Sequence, residues 1–335
     1  MTNPLAPKLP SMRHTMICAA LLFSGALPGR AADLLEAGKP LVLAGTHGRF
    51  DFLAMDVEGR RLLAAHTGNG SLDIIDIDKQ EVAKIVPVGA VQSAAVDAKG
   101  RRYFASVSKP PQLVVIDAAK LEVIAKVPVG GPADLMAFNA KSGMAYVCHD
   151  DGKDLWVIDP AETKVIATVE LPGEAPEDLG FDALFTRVFQ AMKTGSVVAV
   201  VDVATNKVTA KWPTAPAEGP HGMAMVPEAD AFLVAGANGK LAMLSQKDGH
   251  VIASAQIGAG VDQIAYDAEL HRVYCASGKG KIAIVDVEKD KLVAAGEVAT
   301  SDGARSIAVD AKTHTVWIAY AKGDAGVVQP FTPAK

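Results

Sequence analysis

The sequence has few of the residues that would indicate a disulfide-rich, nucleic-acid-binding or membrane-surface protein. Only three of its 335 residues are cysteine, too few for a disulfide framework in a chain of this length. Basic residues do not predominate either. The net charge is −5, whereas nucleic acids and anionic membrane surfaces both favour a basic patch. We therefore expect neither as a partner.

Motifs of common cofactors and catalysts are also missing. There is no Cys-x-x-Cys-His, so covalently attached haem c is not expected. Neither Gly-x-Ser-x-Gly nor His-Glu-x-x-His occurs. The glycine-rich stretch from His66 to Ser71 is typical of a strand–strand turn, because no helical pattern follows it to make a phosphate-binding loop. A nucleotide is therefore not expected.

The N-terminus has the layout of a secretory signal peptide. Lys8 and Arg13 precede a short apolar run, Met16 to Leu27, and small residues follow it up to Ala31. We predict residues 1–31 to be a cleaved signal peptide and residues 32–335 to be one domain, periplasmic or secreted, with no integral membrane segment after cleavage. Removing residues 1–31 takes away three basic residues and no acid. The 30 basic and 38 acidic residues that remain give a net charge of −8.

The rest of the chain is a repeat. An apolar stretch ends in Asp, as in LDIID, LVVID and LWVID, and the corresponding positions lie 41 to 43 residues apart: Asp76, Asp117, Asp159, Asp202, Ser245, Asp286 and Gln329. A second series marks the start of each unit: Asp56, Asp97, Asn139, Asp182, Pro227, Asp267 and Asp310. A fixed period of this length indicates a solenoid, a propeller or an array.

Each unit contains four short strand patterns. Residues 90–130 show four runs rich in Val, Ile and Ala, separated by Gly, Pro, Asp and Lys, and no helical period. Four strands in about 42 residues predict a propeller blade. The chain is therefore predicted to be an all-β, seven-bladed β-propeller. The last unit lacks a fourth strand, and Lys39 to Gly45 (KPLVLAG) resembles one, so we predict that this N-terminal strand completes the last blade and closes the ring.

These units resemble the YVTN family of propeller repeats, which includes YncE-like periplasmic proteins. The resemblance is clearest in GPADLMAFNAKSGMAYVCHDDGKDLWVIDPAETKVIATV at 131–169 and covers nearly all the mature chain. It implies an extracytoplasmic propeller and little about chemistry, and the literal Tyr-Val-Thr-Asn does not occur. The three tryptophans do not recur once per blade, which argues against pyrroloquinoline quinone.

A candidate ligand-binding site follows from the fold. The first strand of each blade lines the central channel, so its first residues meet at one mouth. The residues predicted there are Asp51, Gln92, Glu177, His221, Asp262 and Arg305, with Asp134 and Asp178 beside them. The mouth is acidic, with a single Arg among these positions. A cationic or polyol ligand suits it, and so does a divalent metal.

The sequence also suggests a metal site with His66, His149 and His221 as ligands, because all three are predicted on the mouth face. His66 and His149 end second strands, however, one strand spacing of about 4.8 Å outside the channel wall. A set drawn from the wall residues Asp51, Glu177, His221 and Asp262 therefore suits an ion better. Apart from this divalent metal, we have no prediction for a cofactor.

Three functions remain open. The first is a non-catalytic periplasmic propeller, expected to be monomeric, that binds a partner protein or a small ligand at the mouth face. The second is a metal-dependent, lactonase-like hydrolase with the metal over the channel, where the ion activates water and Arg305 stabilises negative charge. The third is an accessory or docking protein of a periplasmic redox or metal-handling system. Because no catalytic constellation is recognised, the first is preferred.

Overall fold

A computed structural model describes residues 1–2 and 34–334. Within that range the strands form seven antiparallel sheets arranged as the blades of a β-propeller. The predicted all-β, seven-bladed fold is confirmed. The predicted signal peptide lies almost entirely outside the described residues. Among those described, no helix is long and apolar enough to cross a membrane.

Each blade runs in chain order from an inner strand at the channel to an outer strand at the rim. The strands of blades 1 to 3 are β3 (Leu53–Asp56), β4 (Arg61–His66), β5 (Ser71–Asp76), β6 (Glu81–Pro87), β7 (Ala90–Asp97), β8 (Arg102–Lys109), β9 (Gln112–Asp117), β10 (Glu122–Pro128), β11 (Ala133–Asn139), β12 (Met144–His149), β13 (Asp154–Asp159) and β14 (Lys164–Glu170).

The remaining blades follow the same order, and a short 3₁₀-helix (Pro227–Ala229) follows the inner strand of blade 5. Their strands are β15 (Pro176–Phe181), β16 (Arg187–Met192), β17 (Val197–Asp202), β18 (Lys207–Pro213), β19 (Pro220–Val226), β20 (Ala231–Gly236), β21 (Lys240–Ser245), β22 (Val251–Gln256), β23 (Val261–Asp267), β24 (Arg272–Ser277), β25 (Lys279–Glu288), β26 (Lys291–Asp302), β27 (Ser306–Asp310), β28 (Thr315–Lys322) and β29 (Ala325–Pro333).

The N-terminal segment closes the ring. Strands β1 (Leu35–Ala37) and β2 (Leu41–Leu43) both pair antiparallel with β29, with Leu35 opposite Pro333 and Leu41 opposite Val328. The predicted closing strand is confirmed, and β1 extends the same outer strand. Closure pairs the edge of β29 that would otherwise be open.

Burial explains the composition of each strand. Third strands such as β9 are buried on both faces, because each blade packs against two neighbours, and they read as continuous Val, Ile and Leu. Outer strands such as β14 alternate exposed and half-buried residues, because one face and the open edge meet solvent. Seven clusters of buried apolar side chains lie between successive blades, one at each of the seven junctions.

The repeated acids cap turns. The carboxylate of Asp117 accepts hydrogen bonds from the backbone N–H groups of Ala119 and Lys120. Asp97 accepts one from Gly100 in the turn after the inner strand. These bonds satisfy backbone donors that no strand pairs. We call the face where the inner strands begin the upper face and the opposite one, which carries these acids, the lower face.

Candidate functional site

A cavity of about 190 Å³ lies at the upper face, where the inner strands begin. It is almost entirely polar, and every blade contributes to its lining. The lining residues are Arg49, Asp51, Phe52, Gln92, Asp134, Leu135, Asp150, Glu177, Lys193, His221, Asp262 and Arg305. We call this cavity the channel mouth.

An interruption of the inner strand directs five of these side chains to the mouth. In blades 2 to 6 the pairing between the first and second strands shifts register near the start of the inner strand. A β-bulge leaves residues unpaired and re-aims their side chains, and bulges are common beside binding sites. Among the residues within these shifts, those that line the mouth with polar side chains are Gln92, Asp134, Glu177, His221 and Asp262.

Most of the charges in the mouth are paired with each other. Arg49 Nη1 lies 2.9 Å from Asp51 Oδ2, and Arg305 Nε lies 3.0 Å from Asp262 Oδ2. Glu177 Oε1 lies 3.3 Å from Lys193 Nζ and 3.7 Å from His221 Nε2.

Asp134 and Asp150 are the exceptions. Among the described residues, no hydrogen bond or ion pair engages either carboxyl group. The mouth holds five acids against three guanidinium and ammonium groups, so its own cations do not pair with every carboxyl group.

Burial and mutual repulsion raise the pKa values of Asp51, Asp134 and Glu177 in the mouth. Burial, with help from the neighbouring Asp262 charge, raises the pKa of Asp51 to about 6 despite the opposing effect of Arg49. The pKa of Asp134 lies well above its ordinary value, first because of burial and then because of Asp51 and Glu177. Burial also raises the pKa of Glu177, although His221 and Lys193 oppose the shift. Carboxyl groups held together in this way keep their protons to a higher pH than isolated carboxyl groups do.

A second ring of side chains just beneath the mouth links neighbouring blades. Asp178 Oδ2 accepts a hydrogen bond of 2.9 Å from the backbone N–H of Met223 in the next blade. Burial raises the pKa of Asp178 to about 7. Gln263 Oε1 accepts bonds of 2.9 Å from the backbone N–H groups of Leu53 and Ile307, which connects blade 6 to blades 1 and 7. These contacts hold the inner strands, and therefore the mouth residues, in place.

The sequence prediction placed these side chains well. All six residues predicted to bind a ligand line the one cavity: Asp51, Gln92, Glu177, His221, Asp262 and Arg305. The structure thus brings together what the repeat pattern suggested. Whether they bind a ligand remains a prediction.

The three histidines predicted as metal ligands do not meet. His66 is fully buried and stacks on Phe50, with ring centroids 3.8 Å apart. Its Nδ1 lies 2.7 Å from Asp73 Oδ2 and its Nε2 lies 3.2 Å from the carbonyl oxygen of Gly48. Both ring nitrogens are therefore engaged within the core, and neither is left for an ion.

The neighbourhood of His66 also differs from a catalytic triad. Ser71 Oγ donates a hydrogen bond of 2.6 Å to Asp73 Oδ1, so the serine and the histidine bind the same carboxylate. A triad needs the imidazole between the acid and the nucleophile. Because Asp73 and His66 are both fully buried, this cluster stabilises blade 1.

His149 fits between two glycines. A Cβ atom at Gly131 or at Gly152 would overlap its ring, so both positions must stay without a side chain. Its Nδ1 lies 3.5 Å from Asp154 Oδ2. His221 alone of the three reaches the mouth. Across residues 34–334, no three His, Cys, Asp or Glu side chains are grouped so as to hold a metal ion.

Three charged residues of the lining were not predicted from the sequence: Arg49, Asp150 and Lys193. Asp150 and Lys193 follow second strands, and the turn after a second strand lies on the upper face. That rule was sufficient to find them. Arg49 precedes Asp51 in HGRFD, but nothing in its spacing shows that it pairs with that acid. Cys148 and Cys275 are free and buried.

Comparison with known proteins finds many similar structures and no similar sequence family. No family model matches the chain, and no curated protein does. A chain of hydrazine synthase from Kuenenia stuttgartiensis superposes with a TM-score of 0.73 at 17% identity, over 85% of this chain and 98% of that one.

Two further structures superpose as well. The WD40 repeats of RRP9 match with a TM-score of 0.75 at 10% identity, over 88% of this chain and 99% of that one. The structure of U3-55K matches with a TM-score of 0.74 at 10% identity, over 89% and 99%. At such identities the likeness shows the fold alone.

Proposed function

We propose that this protein is a non-catalytic binding propeller that holds a small cationic group in its channel mouth. One observation carries the proposal: all seven blades direct polar side chains into one cavity, and the bulges of blades 2 to 6 place their residues there. A rigid ring of turns is suited to recognition. The protein would act by holding a ligand and not by transforming it.

The size of the mouth limits the ligand. A volume of about 190 Å³ corresponds to about six water molecules at roughly 30 Å³ each. This space suits a short alkyl diamine, or the end of one lysine or arginine side chain from a partner protein. Larger ligands would extend above the upper face.

The acidic residues of the mouth favour a ligand with a positive charge. Asp51, Glu177 and Asp262 each have a cationic partner, whereas Asp134 and Asp150 have none among the described residues, and Asp134 is the more deeply buried of these two. An ammonium or guanidinium group at Asp134 would supply the missing charge and would donate several hydrogen bonds to carboxylate oxygens. Such a cation would also lower the raised pKa values of the surrounding acids, so its binding would release protons.

Cellular location and family membership belong to this proposal. The signal-like N-terminus supports a periplasmic or secreted protein, and the repeat phrase supports a relationship to the YVTN and YncE-like propellers. Both agree with a partner protein or a small ligand of the periplasm. Neither adds a catalytic residue to the site.

The test is a thermal-shift and calorimetric comparison with putrescine and arginine as probes. Wild type should bind a probe, and Asp134→Asn should weaken binding at least tenfold while the fold is kept. Asp290→Asn, in an exposed turn of the lower face, is the matched control and should bind as wild type does. Equal affinity in wild type and Asp134→Asn would refute the proposal.

The pH dependence gives a second readout. The raised pKa values of Asp51 in the mouth and of Asp178 in the ring beneath it, about 6 and 7, mean that this region gains negative charge between pH 5 and pH 8. A cation should therefore bind more tightly at pH 8 than at pH 5, with release of protons. Binding of a neutral polyol such as glycerol should not follow this curve.

The alternative of a metal-dependent hydrolase needs a group of metal ligands, and none is found within residues 34–334. Elemental analysis of the protein purified without a histidine tag tests it directly. About one equivalent of metal per chain, lost on Asp262→Ala, would favour that alternative over the proposal.

A further inference from the structure

The clefts between neighbouring blades on the lower face differ greatly in size. Those between blades 7 and 1, 3 and 4, and 1 and 2 enclose about 180, 400 and 520 Å³. The cleft between blades 5 and 6 encloses about 950 Å³. In a repeat protein the other clefts serve as internal controls, so this difference requires a local cause.

Blade 5 departs from the repeat at both lower-face turns. Pro227 and Ser245 occupy positions that are acidic in most blades. At three other junctions the acid that ends the inner strand binds a side chain from the neighbouring blade, as in Tyr103 to Asp56 at 2.7 Å and His314 to Asp267 at 2.7 Å. Pro227 cannot accept such a bond. At this junction the contact between the blades comes instead from Glu228 in the 3₁₀-helix, and the cleft beside it is the largest of the four.

The open cleft has an apolar floor. Val226 and Val287 are buried at its base, Ile252 is half-buried beside them, and Leu270 is 38% exposed at its edge. Ala229, in the 3₁₀-helix, leaves room where a larger residue would close the space. A cavity of this volume and lining is of the size that holds a small organic molecule.

Two of the four acids at the rim of the cleft, Glu228 and Asp286, are bound by side chains of the protein itself. Glu228 is bound by the hydroxyl of Tyr266 and by His271 Nδ1 at 3.1 Å, and Asp286 is bound by Arg272 Nε at 2.7 Å. Asp230 and Glu288 are the other acids of the rim.

The cationic groups and hydrogen-bond donors at the rim have fewer partners than the acids have. Within the described chain, Lys247 and Lys289 have no ion-pair partner, although they lie on opposite walls of the cleft. His250 Nδ1 is bound by Asp248 at 2.6 Å, which leaves its Nε2 at the rim. The side-chain groups still available are therefore mainly hydrogen-bond donors and positive charges.

We propose that the cleft between blades 5 and 6 is a second binding site, for an amphipathic anion with a flat or branched apolar body. The body lies on Val226, Ile252 and Val287, and the anionic group lies between Lys247 and Lys289. This site is on the face opposite the channel mouth and does not depend on the function proposed for the mouth.

The test uses two fluorescent probes with the same aromatic body. 1-Anilinonaphthalene-8-sulfonate carries an anionic group, and N-phenyl-1-naphthylamine is neutral. The native protein should bind one molecule of the sulfonate per chain. Ala229→Trp should weaken binding of both probes at least tenfold by filling the cleft. Ala119→Trp, which fills the cleft between blades 1 and 2, is the control and should change neither affinity.

Charge is tested separately. Lys247→Glu combined with Lys289→Glu should weaken the sulfonate at least fivefold and leave the neutral probe unchanged. Circular dichroism confirms that each variant keeps its strands. The proposal is overturned if Ala229→Trp binds the sulfonate like wild type, if Ala119→Trp weakens it equally, or if charge reversal affects both probes alike.

Discussion

The two faces of the propeller use the same residue type in opposite ways. On the lower face the carboxylates of Asp117 and Asp202 accept hydrogen bonds in turns, from backbone N–H groups and from Thr205, and their pKa values are lowered. On the upper face burial raises the pKa of Asp51 to about 6 and that of Asp178 to about 7. Aspartate therefore stabilises one face as an ionised cap, whereas its charge is disfavoured on the other.

The difference indicates which face carries residues that do not serve the stability of the fold. Turn caps are local and stabilising, since they satisfy backbone donors next to the acid. A crowd of desolvated carboxyl groups destabilises the folded protein unless something neutralises them. Such groups persist where they serve a site, and this is why the upper face is the candidate.

The largest expected effect is loss of the link beneath the mouth. Gln263→Ala leaves the backbone N–H groups of Leu53 and Ile307 without their acceptor in the interior. Each unsatisfied buried group costs about 1–3 kcal/mol, so we expect a loss of about 4 kcal/mol. Urea unfolding measures it.

Gln246→Ala is the lower-face counterpart of this change. Gln246 is also buried, but its side chain donates one bond, to the carbonyl of Ala231, so a loss of about 1 kcal/mol is expected. Similar losses for the two variants would show that the upper ring has no special role in holding the blades together.

The next effect is the pH dependence of stability. An acid whose pKa is higher in the folded than in the unfolded state makes the folded protein bind more protons. The free energy of unfolding should therefore fall as pH rises from about 4 through 7. At about 1.4 kcal/mol for each pKa unit, Asp51 alone contributes about 3 kcal/mol. Urea titrations at several pH values measure this slope.

Asp51→Asn is the matched variant and should flatten the curve below pH 7. A wild-type stability that rises steadily from pH 4 to pH 8 would contradict the raised pKa values and with them the comparison of the two faces.

A smaller effect is expected at a junction on the lower face. Tyr103→Phe removes the hydrogen bond of 2.7 Å from the tyrosine hydroxyl to Asp56. The bond has a charged acceptor and is buried, so a loss of about 2 kcal/mol is expected. Tyr146→Phe is a control, because no hydrogen bond to another described residue engages that hydroxyl, and it should cost less. Thermal unfolding of both variants measures the difference between their losses of stability.

The smallest effect is the loss of one turn cap. Asp117→Ala should lower the melting temperature slightly at pH 7, because two backbone N–H groups lose their acceptor in an exposed turn. The lowered pKa of Asp117 gives this contribution the opposite sign from the mouth acids. It is present above pH 4 and disappears as pH falls below that value. A difference from wild type that persists unchanged at pH 2 would argue against this explanation.

Much of the fold was predictable because its determinants are local. In blades 1 to 4 the Asp that ends the third strand binds the backbone two or three residues later, and strand patterns extend over about six residues. The closing strand at Leu41–Leu43 was predictable because the last unit lacks its fourth strand. The residues of the mouth followed from their places in the repeat. His66 was the least predictable, since nothing in its own segment shows that its partners are Asp73 and the carbonyl of Gly48.

The sequence by itself determined the number of blades, the turn chemistry of the lower face and which residues begin each inner strand, because these depend on short-range contacts repeated along the chain. Only the tertiary structure decided how the mouth charges pair, why Asp134 and Asp150 are left without a partner, and why the cleft between blades 5 and 6 is open. These features depend largely on side chains of different blades, such as Arg305 with Asp262 and His221 with Glu177, and the closed ring sets the distances between the blades.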